Sequence, residues 1–128
     1  MKLTGARILV TGGAGLVGSH IVDQLIKEKV REIVVFDNFV RGTMANLRGA
    51  LASGKVKVVK GDITKTKEIT GAMKGVDGVF HQAALWLLEC ENKPREALRI
   101  NVGGTFNVCR ACVQNKVRKL VAASSSSV

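Results

Sequence analysis

The stretch LVTGGAGLVGSH, residues 9–20, puts Gly12, Gly13, Gly15 and Gly18 between an apolar run and the start of a helical pattern. Glycine loses more backbone freedom on folding than any other residue, so four of them in one turn need a reason. Gly13, Gly15 and Gly18 fit G-x-G-x-x-G, and Gly12, Gly15 and Gly18 fit the nested spacing G-x-x-G-x-x-G. Both patterns follow a predicted strand and open a predicted helix, which is the context the motif requires. The first glycine then permits a tight turn, the middle one lets a pyrophosphate approach the backbone, and the last lets helix and strand pack closely. Main-chain N–H groups at the helix start face the phosphates, aided by the helix dipole. The plain alternative is a glycine-rich turn that holds no ligand.

Around that turn the chain alternates between two hydrophobic periods. ARILVTG (6–12), REIVVFDN (31–38), KVKVVKGD (55–62), DGVFHQAA (77–84) and RKLVAASS (118–125) read as strands. Helices are predicted over 16–28, with Leu16, Val17, Ile21, Val22, Leu25 and Ile26 in period, over 43–54, over 65–75 and over 94–115. Pro94 suits a first helical turn, and Gly54 lies just past a helix end. Ala97, Ile100, Gly104, Val108, Ala111 and Cys112 share one stripe of the last helix, and residues 85–93 read as a loop. Continuous apolar strands separated by helices imply a parallel sheet covered on both faces. The predicted fold is therefore α/β, a doubly wound, Rossmann-like parallel sheet ordered 3-2-1-4-5 and ending after its fifth strand.

Composition narrows the class. A chain of 128 residues is about one domain. It has no apolar run long enough to span a membrane, and its N-terminal apolar stretch reads as a buried strand, not a signal peptide. Twenty Lys and Arg against ten Asp and Glu give +10, but the cations are spread along the chain and the aromatic platform of a nucleic-acid binder is lacking. Three cysteines, Cys90, Cys109 and Cys112, suit a reducing, cytoplasmic setting. The C-x-x-C pair lies inside a helical pattern, so two small buried side chains are expected there, with no metal site.

Two carboxylates sit where a dinucleotide is read. Asp37 ends the second strand, 19 residues after Gly18. There it can accept hydrogen bonds from adenosine ribose hydroxyls and repel a 2′-phosphate, which favours NAD over NADP, although Arg41 nearby blurs that preference. Its alternative role is to open the Asp-Asn turn. Asp62, after the third strand, either holds the adenine amino group or caps the following helix, and both readings stand.

TGGAGLVGSH, DN at 37–38, GDI at 61–63, HQAA at 81–84, NVGGT at 101–105 and SSSSV at 124–128 occur in this order. Together they resemble the extended short-chain dehydrogenase/reductase family, in its branch of NAD-dependent nucleotide-sugar epimerases and dehydratases, closest to the UDP-sugar 4-epimerase-like enzymes of surface-polysaccharide synthesis. The resemblance implies that Gly12, Ala14, Gly15, Leu16, Val17 and Gly18 surround the pyrophosphate. It implies that Asp37 and Asn38 hold the adenosine ribose, with Phe39, Arg41 and Gly42 nearby. Asp62 would bind the adenine amino group, Ile63 would contact the ring through its backbone, and Gln82, Ala83 and Ala84 would line the middle of the cofactor. Asn101 would brace strand four or the catalytic groups, its alternative being a local helical bond, and His81 would be a packed strand residue. Ser125 would bond the reacting sugar oxygen as the catalytic hydroxyl, with Ser124 and Ser126 as rivals.

The resemblance further implies a nucleotide-sugar substrate, UDP-linked, and a homodimer built on the helices after strands four and five, of which only the first is present. The family's proton carrier is a tyrosine in Y-x-x-x-K, and this chain contains no tyrosine. Residues 1–128 are accordingly expected to be an incomplete NAD-binding domain, the N-terminal piece of an epimerase-like enzyme and inactive by itself. A non-catalytic dinucleotide-binding module is the rival reading.

Overall fold

The computed structural model describes residues 1–125. Five strands form one parallel sheet: β1 (Arg7–Thr11), β2 (Glu32–Asp37), β3 (Val56–Lys60), β4 (Gly78–His81) and β5 (Lys119–Ala122). Their order is β3-β2-β1-β4-β5, as the alternating pattern predicts, with β3 and β5 at the edges. Leu9 of β1 lies opposite Val34 of β2 and Val79 of β4. Both faces of the central strands are covered, which explains why β1 and β2 read as unbroken apolar runs. Ile8, Leu9 and Val10 are fully buried, as are Ile33 and Val35. The edge strands carry the exposed positions, Lys57 and Lys60 on β3 and Val121 on β5.

Helices divide between the two faces. On one, α1 (Leu16–Leu25) and α2 (Arg48–Leu51), the latter entered through a 3-10 turn (Met44–Leu47), pack Val22, Leu25, Leu47 and Ala50 onto Ile8, Val10, Ile33 and Val35. On the other, α3 (Thr66–Ala72) and α6 (Thr105–Gln114) bring Ile69, Val108, Ala111 and Cys112 against Leu9, Val34, Phe36 and Val79. Lys55 donates from Nζ to the carbonyls of Ile26 at 3.0 Å and Glu28 at 2.9 Å, placing a cation on the carbonyl end of α1.

Four expectations need correction. The predicted loop 85–93 contains a helix, α4 (Leu87–Asn92), whose Leu87 and Leu88 are exposed, so no apolar period marks it. The predicted helix 94–115 begins at Pro94 as expected, but α5 (Pro94–Ala97) passes into a π-helical stretch (Leu98–Gly104) before α6. Leu16 and Val17 face outward, 76% and 60% exposed, because Gly18 turns inward onto the glycine turn and carries its neighbours round the helix. Of the C-x-x-C pair only Cys112 is buried; Cys109 lies about 100° round the helix from Val108 and is exposed. Burial pushes the Cys112 thiol up to about 11, which makes it a packing group and not a reactive thiolate.

Phe36 fixes the end of β2. It is 1% exposed, and its ring fills the space that a side chain at Gly61 would need. Phe36→Ala is expected to destabilise the chain by about 3–5 kcal/mol, read as a lowered urea midpoint at unchanged slope. A loss within ~1 kcal/mol would show that this face of the core repacks freely.

Candidate dinucleotide-binding edge

In a sheet of this order the crevice lies outside the carboxyl ends of β1 and β4, where the winding direction reverses. The segments that follow those strands meet there. The turn after β1 is locked by main-chain contacts. Gly12 adopts φ +66°, its N–H donates to Phe36 O at 2.9 Å, and its carbonyl accepts from Gly15 N–H at 3.1 Å. A Cβ at Gly12 would come within 2.8 Å of Ala83 N, and one at Gly18 would overlap the Gly12 carbonyl. Gly18 therefore brings α1 down onto the turn, as the motif predicts.

The start of α1 is left open. Gly15 is its N-cap, no side chain caps it, and no acidic residue lies in its first turn. The first N–H groups of a helix have no partner inside it, and the dipole makes that end attractive to anions. Space beside Gly15 is bounded only by Gly12 O at 3.2 Å. These residues fit a diphosphate.

Asp37 is used more fully than its position in the sequence suggests. It is 7% exposed, its Oδ2 accepts from Ala14 N–H at 2.9 Å, and its Oδ1 accepts from Phe39 N–H at 2.9 Å. The carboxylate thus ties the end of β2 to the glycine turn and closes a tight bend. Of the two sequence readings of Asp37, these bonds show the turn-opening one. Phe39 takes φ +61°, and Val40 N–H donates to Asn38 Oδ1 at 3.1 Å. Gly42 packs on Ala14, leaving 2.8 Å to a Cβ placed there. Arg41 points away from this bend, its guanidinium 5.1 Å from the Trp86 ring centroid.

After β3, Asp62 Oδ1 accepts from Thr64 N–H and from Thr64 Oγ1, both at 2.8 Å, closing a turn ahead of α3; the N-cap of that helix is Lys65 and no side chain caps it, so Asp62 does not fill the capping role. Ile63 is buried, and its carbonyl accepts from Asn107 Nδ2 at 3.0 Å. After β4, the N–H groups of Gln82 and Ala83 donate to Thr11 Oγ1 at 3.2 and 3.3 Å, while Ala84 is exposed. Asn101, on the π-helical stretch, grips Leu85 from both sides: Oδ1 accepts from its N–H at 2.6 Å and Nδ2 donates to its carbonyl at 3.1 Å. It braces the segment after β4. Ser124 and Ser125 follow β5 and are exposed, and Ser126 lies outside the described residues.

Several site residues escape a reading of the sequence. Asn46 donates from Nδ2 to Ala14 O at 2.8 Å, holding the glycine turn from across 32 residues. Thr11 and Thr105 complete a buried chain through His81. Thr11 Oγ1 is 2.6 Å from His81 Nδ1, and His81 Nε2 is 2.9 Å from Thr105 Oγ1. The Thr11 hydroxyl already accepts two N–H groups, so its own proton goes to Nδ1, and the ring is neutral with its proton on Nε2. A threonine or asparagine in a strand or helix has no pattern that announces such a distant partner.

Burial lowers the His81 pKa below the ordinary 6.5. The unfolded chain then takes up a proton as pH falls through about 6.5, where the folded chain does not. Stability is expected to be flat above that pH and to decline between pH 6.5 and the lowered folded value. Urea midpoints at pH 8 and pH 5.5 should differ for the native chain and converge for His81→Gln. Equal declines in both would assign the loss to other groups.

A profile of the 3-beta hydroxysteroid dehydrogenase/isomerase family matches residues 9–128. The UDP-glucose 4-epimerase of Rickettsia akari (strain Hartford) is 37% identical over 123 residues, covering 92% of this chain. The 3 beta-hydroxysteroid dehydrogenase type 7 of Rattus norvegicus is 39% identical over 124 residues, covering 94% of it. The chain spans 36% of the length of each of these relatives. Among solved structures, the dTDP-glucose 4,6-dehydratase DesIV from Streptomyces venezuelae, determined with NAD bound, aligns with 31% identity and a TM-score of 0.84. That alignment covers 89% of this chain and 38% of the dehydratase. The relatives agree with the resemblance carried by the ordered motifs and add hydroxysteroid dehydrogenases beside the sugar enzymes. A match running from β1 past β5, on a sheet of this order, makes the chain a member of the 3-beta hydroxysteroid dehydrogenase/isomerase family.

Proposed function

We propose that this chain is the NAD-binding portion of a nucleotide-sugar epimerase that interconverts UDP-sugars at C4, with a 4,6-dehydratase or reductase of the same family as the nearest alternative. One observation carries the reading: the start of α1 is uncapped and lies beside a turn in which Gly12 and Gly18 admit no side chain and Gly15 leaves the approach open. That is a diphosphate cradle, and the Asp37 carboxylate stands at its edge. Bound NAD would supply the hydride chemistry, accepting and returning the hydride.

The chain's own residues bind and orient. Gly12, Ala14, Gly15, Leu16, Val17 and Gly18 surround the pyrophosphate. Asp37 and Asn38 hold the adenosine ribose, with Phe39 and Gly42 shaping the bend. Asp37 gives one lone pair of each oxygen to a main-chain N–H, and the second remains for a ribose hydroxyl. Asp62 has its Oδ2 for the adenine amino group, and Ile63 would contact the ring through its backbone. Gln82, Ala83 and Ala84 line the middle of the cofactor, Asn101 positions the segment beside them, and the Ser125 hydroxyl faces the sugar oxygen. With no tyrosine in the chain, the proton carrier of this family is missing, and the 128 residues bind cofactor without turning over sugar. Cys90, Cys109 and Cys112 are free thiols, in keeping with a reducing, cytoplasmic setting. Among the described residues no helix is long and apolar enough to cross a membrane.

A second reading, oxidation of a hydroxysteroid, is favoured by the similarity to the rat 3 beta-hydroxysteroid dehydrogenase type 7. Both readings use the same cradle and differ in the substrate.

A homodimer belongs to this reading. Leu98, Val102, Phe106 and Val113 are 65%, 61%, 61% and 79% exposed on the helix after β4, a stripe suited to a second copy. Sedimentation equilibrium is expected to show association of the chain and its loss in Phe106→Glu; a native chain monomeric at every concentration would remove this part.

Calorimetric titration with NAD tests the main claim. The native chain is expected to bind, and Gly15→Ala, shown to be folded by its urea midpoint, to bind about tenfold more weakly because its Cβ stands where the phosphate approaches. No heat of binding, or equal affinity for both proteins, would end the assignment.

A further inference from the structure

One side chain joins the bend after β2 to the segment after β4. Arg41 lays its guanidinium over Trp86, 5.1 Å from the ring centroid, and its Nη1 lies 3.9 Å from Glu89 Oε2. Trp86 is the N-cap of α4, and Glu89 lies in the first turn of that helix. Because β1 lies between β2 and β4, this contact spans the end of β1, where the glycine turn begins. Glu89 Oε2 is covered and accepts no hydrogen bond, so among the described residues Arg41 is the cation it faces.

The main chain around Arg41 is pinned toward Asp37, yet its side chain is not. Phe39 N–H and Val40 N–H close their bends onto Asp37 and Asn38, and Gly42 packs on Ala14. Asp37 takes main-chain N–H groups, while Arg41, four residues on, is drawn across to α4. A cation–π contact and an ion pair together hold it there.

We propose that Trp86 and Glu89 park Arg41 away from the adenosine ribose and thereby set the discrimination between dinucleotides with a free 2′-hydroxyl and those with a 2′-phosphate. The proposal rests on the dinucleotide reading above. A 2′-phosphate brought beside Asp37 meets a carboxylate, and Arg41, four residues on and able to pair with it in bidentate fashion, is engaged elsewhere. Release of Arg41 supplies that partner. It leaves the 2′-hydroxyl dinucleotide unaffected, since a hydroxyl needs the carboxylate and not the guanidinium. Trp86, Glu89 and Arg41 are specificity-setting residues in this scheme and take no part in the reacting centre.

The test uses the 128-residue chain with NAD and NADP as probes, by calorimetry and by the emission of Trp86, its only tryptophan. The native chain is expected to prefer NAD, and NADP to bind weakly. Glu89→Gln and Trp86→Leu, both at solvent-accessible positions that spare the core, are expected to raise NADP affinity about tenfold and to change NAD affinity by less than about twofold. The double variant Glu89→Gln/Arg41→Ala should lose the gain. In the native chain NADP at high concentration should alter Trp86 emission as Arg41 leaves the ring, and NAD should not. An unchanged NADP-to-NAD ratio in both single variants, with NAD still bound, overturns the proposal alone. Persistence of the gain in the double variant does the same. Failure of the native chain to bind either dinucleotide overturns the dinucleotide reading and this proposal with it.

Discussion

The Asp37 carboxylate joins the end of β2 to the glycine turn that ends β1, and the geometry of the whole edge follows from that bond. Its Oδ2 takes the Ala14 N–H, its Oδ1 takes the Phe39 N–H, and the two together hold the bend after β2 against the start of α1. A buried carboxylate is costly unless its oxygens are satisfied, and here two main-chain donors satisfy them. Asn46 and Thr43 secure the same turn from the other side by donating to the Ala14 carbonyl. The turn is therefore clamped through its backbone, which leaves the first N–H groups of α1 facing outward.

The crevice beside that turn is built the same way, from polar side chains that tie backbone segments together. Thr11, His81 and Thr105 form a buried chain from β1 through β4 to α6, and Asn101 grips Leu85 just beyond. None of these groups requires a charge. His81 is held neutral by its burial and by a hydroxyl neighbour that has no room for a second donor proton. The anion-attracting groups at this edge are the main-chain donors at the start of α1, an arrangement suited to holding a diphosphate without a bound cation.

Much of this was legible in the residues because burial leaves a period behind. β1 and β2 are covered on both faces and read as continuous apolar runs, and β3 alternates because it lies at an edge. The four glycines and Asp37 were legible for a different reason: their spacing falls between a predicted strand and a predicted helix, the context in which such a turn is used. Leu16 and Val17 misled, since their apolar character matched a helical stripe that Gly18 turns away from the core. The helix α4 left no period, because it buries no residue, and the π-helical stretch kept Ile100 and Gly104 on the stripe of the predicted helix without any signal of its wider turn.

The sequence by itself determined the strand–helix alternation, the sheet order that alternation permits and the bare turn after β1. These are local or near-local matters, in which each residue's propensity, size and polarity act within its own element. Only the tertiary structure decided which polar side chains meet: Asn46 with Ala14, Asn107 with Ile63, His81 between two threonines, and Arg41 on Trp86. Those partners are brought together by the crossing of strands and helices far apart in the chain. A hydrogen bond or a cation–π contact depends on distance and direction in space, quantities that no single stretch of residues encodes.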